Sequence, residues 1–246
     1  MSHFLLETLP ATLKIAKLLL SARVKTLPLL FYPLALLRQD EKKTVVRRHT
    51  DLLISGYWRC ANHYASYAFI SSQKRPVRVA HHFHAPAQVM LAVRWNVPTL
   101  LLIREPVGAV CSATVYLEHD DPHPFLKFFN IYHRALVPYR DQIVISDFKQ
   151  TTTNFGSVIA EINQRYGRDF DLYHGTPEDE QRIEEMIREE YRVGLDSRPA
   201  RLPLPSHEKD LLKEEIKQKL FDPRCAALLD EARQLYQHFY SASCGA

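Results

Sequence analysis

Glycine is scarce in this sequence, with 7 in 246 residues, while proline (15) is ordinary. That composition excludes a disordered low-complexity chain. Cysteine is scarce too. Cys60, Cys111, Cys225 and Cys244 form no Cys-x-x-Cys pair, so no disulfide framework is written in the spacing, and a reducing, cytoplasmic setting is the simpler reading. Strong charge of either sign is missing. A formal net charge of +4 suits an anionic small ligand or a membrane surface, and is too weak and dispersed to imply nucleic acid. No repeat with a period of 20–50 residues is present. A long hydrophobic run is also absent. Residues 4–37 are mostly apolar, but Glu7, Lys14, Lys17, Arg23 and Lys25 interrupt them. The longest charge-free run, TLPLLFYPLALL (26–37), contains two prolines and falls short of the roughly 20 residues a spanning helix needs. Glu7 and the lack of a small-x-small cleavage site argue against a signal peptide. This segment reads as an amphipathic helix pair packed on the core or capping a site, in preference to a basic apolar segment lying on a membrane.

What remains is enough apolar residue, 46%, for one large domain. The expected layout is an apolar N-terminal segment (1–40), a charged linker (38–50), a nucleotide-binding core (51–150) and a mainly helical part (151–246). Strands are expected at 51–55, 77–80, 98–103 and 142–146. Helical patterns lie between them at 62–72, 86–95, 106–117 and 124–137, and after them at 151–166, 177–192, 206–220 and 222–240. Strands alternating with helices imply a three-layer α/β fold: an open parallel sheet with helices on both faces.

Two strand ends carry the functional signal. The first is DLLISGYWRCANHY (51–64), an apolar run entering a tight loop and then a helix. Unpaired backbone N–H groups and the helix dipole favour an anion there, and the Arg59 guanidinium adds a planar donor fork. The Lys-Ser/Thr ending of a nucleotide-triphosphate loop is missing, which argues against a magnesium-dependent kinase or ATPase. An ordinary strand-to-helix turn remains an equal alternative on this stretch alone. The second is VPTLLLIREPVGAVCSATVY (97–116). Arg104 follows the strand, Pro106 opens a helix, and Ser112 lies just over two turns along it. A salt bridge with Glu105 or another surface carboxylate for Arg104 and a small buried helix position for Ser112 are the competing readings.

Together these stretches resemble the sulfotransferases that use 3′-phosphoadenosine-5′-phosphosulfate (PAPS). Gly56-Tyr57-Trp58-Arg59-Cys60-Ala61-Asn62-His63-Tyr64 is similar to the family's 5′ loop. Arg104-Glu105-Pro106 with Ser112 is similar to its 3′-phosphate motif. Ser146-Asp147-Phe148 stands where the family has a Tyr-Glu-Asp-Leu strand end. The likeness covers residues 51 to about 166. It implies a P-loop-like fold and PAPS as co-substrate, with no metal. The 5′-phosphosulfate would be held by residues 59–64 (Arg59, Cys60, Ala61, Asn62, His63, Tyr64) and the 3′-phosphate by Arg104 and Ser112. Trp58, Ala61 and His63 depart from the family's proline, glycine and threonine. The glycine-rich segment that closes over the nucleotide is absent, and DSRPARLPLP (196–205) stands in for it with Arg198 or Arg201.

RVAHHFHAPAQV (78–89) holds three histidines. On an extended chain His82 and His84 share one face and His81 the other. No second cluster at zinc spacing accompanies them. By resemblance, Phe83-His84-Ala85-Pro86 occupies the place of a Thr-His-x-Pro segment, making His84 the general base and His82 an auxiliary donor. The implied activity is sulfuryl transfer to a hydroxyl or amine of a small-molecule, lipid or carbohydrate acceptor. The alternative is an inactive relative serving as a membrane-surface or scaffold module. The aromatic stretch Tyr116, Phe125, Phe128, Phe129, Tyr132 and Tyr139 would line an acceptor pocket or belong to the core.

Overall fold

The structure is a computed structural model that describes residues 11–37, 44–193 and 207–243. Arg198 and Arg201 lie outside the described residues. Four parallel strands form one sheet in the order β2–β1–β3–β4: β1 (Leu52–Gly56), β2 (Val79–Ala80), β3 (Thr99–Ile103) and β4 (Val144–Asp147). Both central strands, LLISG and TLLLI, are buried at every position. This is the reason their apolar runs do not alternate. Gly56 pairs with Leu102 and Ile103 with Asp147, so three strand tips end side by side.

Helices α3 (Asn62–Ser72), α4 (Pro86–Arg94), α5 (Pro106–Tyr116) and α6 (His123–Arg134) make the crossovers. Right-handed connections put α3 on one face and α4 on the other, giving the expected three-layer α/β architecture. Prolines stand in the first turn of α4, α5 and α6, where the ring's fixed φ suits a helix start. The expected helix 151–166 is two helices, α7 (Phe148–Thr153) and α8 (Phe155–Tyr166). Asp147 Oδ1 accepts from Gln150 N at 2.9 Å and starts α7 early. Asn154, at φ −151° and ψ 53°, breaks the helical path and lets Phe155 turn into the core. The chain continues through α9 (Pro177–Val193), α10 (His207–Leu220) and α11 (Pro223–Ser243). Upstream, α1 (Ala11–Val24) and α2 (Pro28–Leu36) form a sharply bent pair, with an angle of 106°.

Most of the aromatic stretch is core. Phe125, Phe128, Phe129 and Tyr132 are buried around Tyr57, whose hydroxyl donates to Phe125 O at 3.0 Å. Tyr139 is half-buried, and Tyr116 reaches the cavity described below. This packing anchors the root of the 56–61 loop. His133 is also fully buried, with its ring 4.0 Å from that of Phe129. Its Nδ1–H donates to Phe129 O at 2.9 Å, and Nε2 has no hydrogen-bond partner among the described residues. Burial pushes its pKa down to about 4.

Because the folded value lies below the unfolded value of about 6.5, this neutral histidine supports the fold fully above pH 6.5. The support is lost as pH falls toward 4, and amounts to roughly 3 kcal/mol in all. His133→Phe is expected to flatten the decline between pH 7 and pH 5 by about 2 kcal/mol, measured by urea unfolding at each pH. An unchanged slope would show that His133 does not set the acid limit.

Candidate active site

In an open parallel sheet, a crevice opens where neighbouring strands send their chains in opposite directions. That point is between β1, which connects outward to β2, and β3, which connects toward β4. Arg59 leaves the tip of β1 and Arg104 leaves the tip of β3, and the structure brings them together. Arg104 Nη1 donates to Arg59 O at 3.1 Å, and Arg59 Nε donates to Ser112 Oγ at 3.1 Å. Each guanidinium lies over an aromatic ring: Arg59 over Tyr116 at 5.1 Å and Arg104 over Phe148 at 4.1 Å. These shelves fix the planar groups and leave their donors for an anion. The competing pairing of Arg104 with Glu105 is not what forms. Glu105 instead caps α5, accepting from Gly108 N at 2.6 Å.

The two arginines line one cavity of about 510 Å³. Ala61, Asn62, His63, Tyr64 and Ser112 also line it. The Cys60 side chain is turned into the core, where burial pushes its thiol up to about 12; only its backbone is left for a ligand. Ser112 is buried at the cavity wall and accepts from Arg59, so the groups expected at the 5′ and 3′ ends touch in this conformation.

Gly56 is held by close approach: a Cβ there would sit 2.7 Å from Leu102 O. Ala61, where the family has glycine, adopts φ 63° at the start of α3, a left-handed conformation that costs an L-residue roughly 1–2 kcal/mol. Arg59 (φ 64°), His82 (φ 63°) and His84 (φ 49°) share this strain. Among the described residues, four of the six non-glycine positive-φ positions are therefore in this site, and such strain concentrates where a fold must present groups in a set geometry.

The left-handed turns overturn the extended-chain reading of the histidines. His81, expected on the opposite face, lies edge-on to His82 at 4.5 Å, while the His82 and His84 rings are 6.1 Å apart at 71°. The His82 ring also lies 4.1 Å from that of His63 at a tilt of 42°, and His63 Nε2 is 3.6 Å from Glu190 Oε2. His84 Nδ1 is 2.9 Å from Gly56 O. A carbonyl only accepts, so Nδ1 carries the proton and Nε2 carries the lone pair. Burial lowers the His84 pKa to about 3, with the Lys25 ammonium pushing the same way, so the imidazole is neutral at pH 7.

Residues the sequence reading missed complete the cavity. Lys209 and Lys213 of α10 line it; Lys209 is buried, and Lys213 pairs with Asp210 at 2.8 Å. Burial, then Arg59, lowers the Lys209 pKa; burial likewise lowers that of Arg59, and Arg104 adds to it. Against four cations the cavity wall presents one carboxylate, Glu180, so it is built for an anion. Phe148 was quoted in the sequence only as part of a strand end. Nothing in the spacing of α10 distinguishes Lys209 and Lys213 from Lys217, Lys219 or other surface lysines. Among the described residues, no group of three or more His, Cys, Asp or Glu side chains is arranged to hold a metal ion.

A second cavity, of about 300 Å³, lies behind the first. Ser21, Val24, Lys25, Phe31, Leu34 and Ala35 of the α1–α2 region line it with His82 and Phe83. Trp58 and His84 border both cavities.

No family model matches the chain, and no curated protein matches it. Among solved structures it is similar to the crystal structure of mouse sulfotransferase SULT7A1 complexed with PAP, at 11% sequence identity and a TM-score of 0.43. The match covers 76% of this chain and 90% of that one.

Proposed function

We propose that this protein transfers a sulfuryl group from PAPS to a hydroxyl or amine acceptor by in-line displacement. One observation carries the reading: the two motif arginines, 45 residues apart in sequence, meet at adjacent strand tips in one cation-rich cavity. The cavity residues fit a nucleotide bearing two anionic ends. Arg104, Ser112 and Lys209 would hold the 3′-phosphate, and the 59–64 backbone with Arg59 would hold the 5′-phosphosulfate. PAPS would supply an activated sulfuryl group, with 3′,5′-adenosine bisphosphate as its leaving group.

The chain's own groups supply the rest. His84 Nε2 takes the proton of the acceptor hydroxyl as the new oxygen–sulfur bond forms and the bridging sulfur–oxygen bond breaks. Arg59 stabilises the charge that builds on the departing phosphate oxygen. His82 stands beside them as an auxiliary donor. The acceptor would occupy the second cavity, because His84 and Trp58 border both spaces. Burial and the Lys25 ammonium lower the His84 pKa; negative charge brought close by a bound nucleotide would raise it toward the working range.

The test is thermal stabilisation by 3′,5′-adenosine bisphosphate, followed by transfer of label from PAPS to an acceptor panel. At a hundred times the dissociation constant, binding adds about 2.7 kcal/mol of stability. The absence of any shift favours the inactive membrane-surface or scaffold module. Arg104→Ala and Lys209→Met are each expected to weaken bisphosphate binding about 10- to 100-fold, the worth of one buried charge-assisted contact, as read by calorimetry. Unchanged affinity would take that residue out of the site.

A further inference from the structure

The second cavity is walled by helices that, among the described residues, carry many exposed leucines. In α2, PLLFYPLAL, only Phe31 and Ala35 are buried. A helix that is apolar all round normally lies within a protein core or in lipid. Among the described residues, eight of the twelve exposed large apolar side chains belong to this region: Leu13, Leu20, Leu27, Leu29, Leu30, Leu34, Leu36 and Leu37. Leu29 is 89% exposed and Leu37 84%. Such a concentration marks an interaction surface. Charge identifies the partner. Residues 11–37 contain Lys14, Lys17, Arg23 and Lys25 and no aspartate or glutamate, and Lys17 and Arg23 are exposed.

A leucine-rich segment that carries exposed cations and no carboxylate of its own matches an anionic lipid interface. Spanning is not its geometry. The helices have 14 and 9 residues, about 21 and 14 Å at 1.5 Å per residue, and the pair is bent by 106°. No single helix among the described residues is long and apolar enough to cross a membrane.

We infer that the α1–α2 pair docks this protein on an anionic lipid surface, with the second cavity opening beside the docked face. Leu34 belongs to both: it is 44% exposed and lines that cavity. The acceptor class this implies, a hydroxylated amphiphile taken from the lipid, rests on the sulfuryl-transfer reading; the docking does not.

The experiment is flotation of the full chain with vesicles of phosphatidylcholine alone or mixed with phosphatidylglycerol. The wild type should float with the anionic vesicles. A Leu20→Ser, Leu29→Ser, Leu37→Ser variant should partition at least about a hundredfold less while keeping the thermal shift with 3′,5′-adenosine bisphosphate. Should that variant not fold, Lys17→Glu with Arg23→Glu serves in its place, and its preference for anionic over neutral vesicles should vanish. A wild type that stays with the soluble fraction overturns the inference. So does a serine variant that floats normally, or one whose only change is from dimer to monomer in sedimentation, which would mean that the face pairs two copies. Flotation without any bisphosphate shift would leave docking standing and remove the sulfuryl-transfer reading. Label passing from PAPS to a soluble phenol but not to dodecyl glucoside held in the vesicles would overturn the acceptor class.

Discussion

On the sulfuryl-transfer reading, His84→Asn is expected to lower the turnover of labelled PAPS by about 10²- to 10⁴-fold, the range for a lost general base, and to leave the affinity for 3′,5′-adenosine bisphosphate within about threefold. Asparagine is chosen because it tolerates the left-handed backbone that His84 adopts at φ 49°, so the fold is retained. His84→Ala should give the same loss at a larger cost in stability. Both effects follow from position. The ring donates through Nδ1 to Gly56 O at 2.9 Å, which turns Nε2 into the acceptor, and His84 stands where the two cavities meet. Measured turnover within tenfold of wild type would move the base elsewhere, with His82 the next candidate. The pH profile offers a separate check. With bisphosphate absent, the His84 ring should remain neutral in an NMR titration down to about pH 3; protonation near 6.5 would mean that the site is wetter than its burial implies.

Arg59→Ala is expected to lower the transfer rate on the order of a hundredfold or more, the usual loss when one fixed donor to a developing oxyanion is removed. Arg59→Lys should recover little of it. The lysine keeps a charge, but loses the planar fork that now reaches Ser112 Oγ at 3.1 Å while resting over Tyr116. The contrast with Arg104→Ala decides roles. Arg104, stacked on Phe148 and bonded to the Arg59 carbonyl, should act mainly on affinity and Arg59 mainly on rate. A loss below threefold for Arg59→Ala would assign both residues to binding alone. Because Arg59 and Ser112 touch, the Arg59→Ala, Ser112→Ala double variant should be clearly non-additive.

The legible part of this protein was whatever the chain encodes locally. Continuous apolar runs at 51–55 and 98–103 marked buried parallel strands, and Pro106 marked the start of α5. Gly56, Arg59, Arg104 and Ser112 could be singled out because strand ends followed by helix starts are short-range patterns. The family resemblance, not the local pattern, named His84, and the sequence placed His81, His82 and His84 on an extended chain. Backbone φ values near +50° to +60° at two of the three come from the loop's packing against Trp58, α2 and the 44–46 segment, which no local propensity reports. Long-range placement was decided by tertiary structure alone. It put Arg104 on the Arg59 carbonyl, brought Lys209 from α10 into the same cavity, sent Phe125, Phe128, Phe129 and Tyr132 to the core, and set α1 and α2 as the wall of a second cavity with their leucines outward. Local patterns depend on neighbours within a few residues. Which distant cations share one cavity depends on the order of strands in the sheet, and that order is fixed only when the whole hydrophobic core closes.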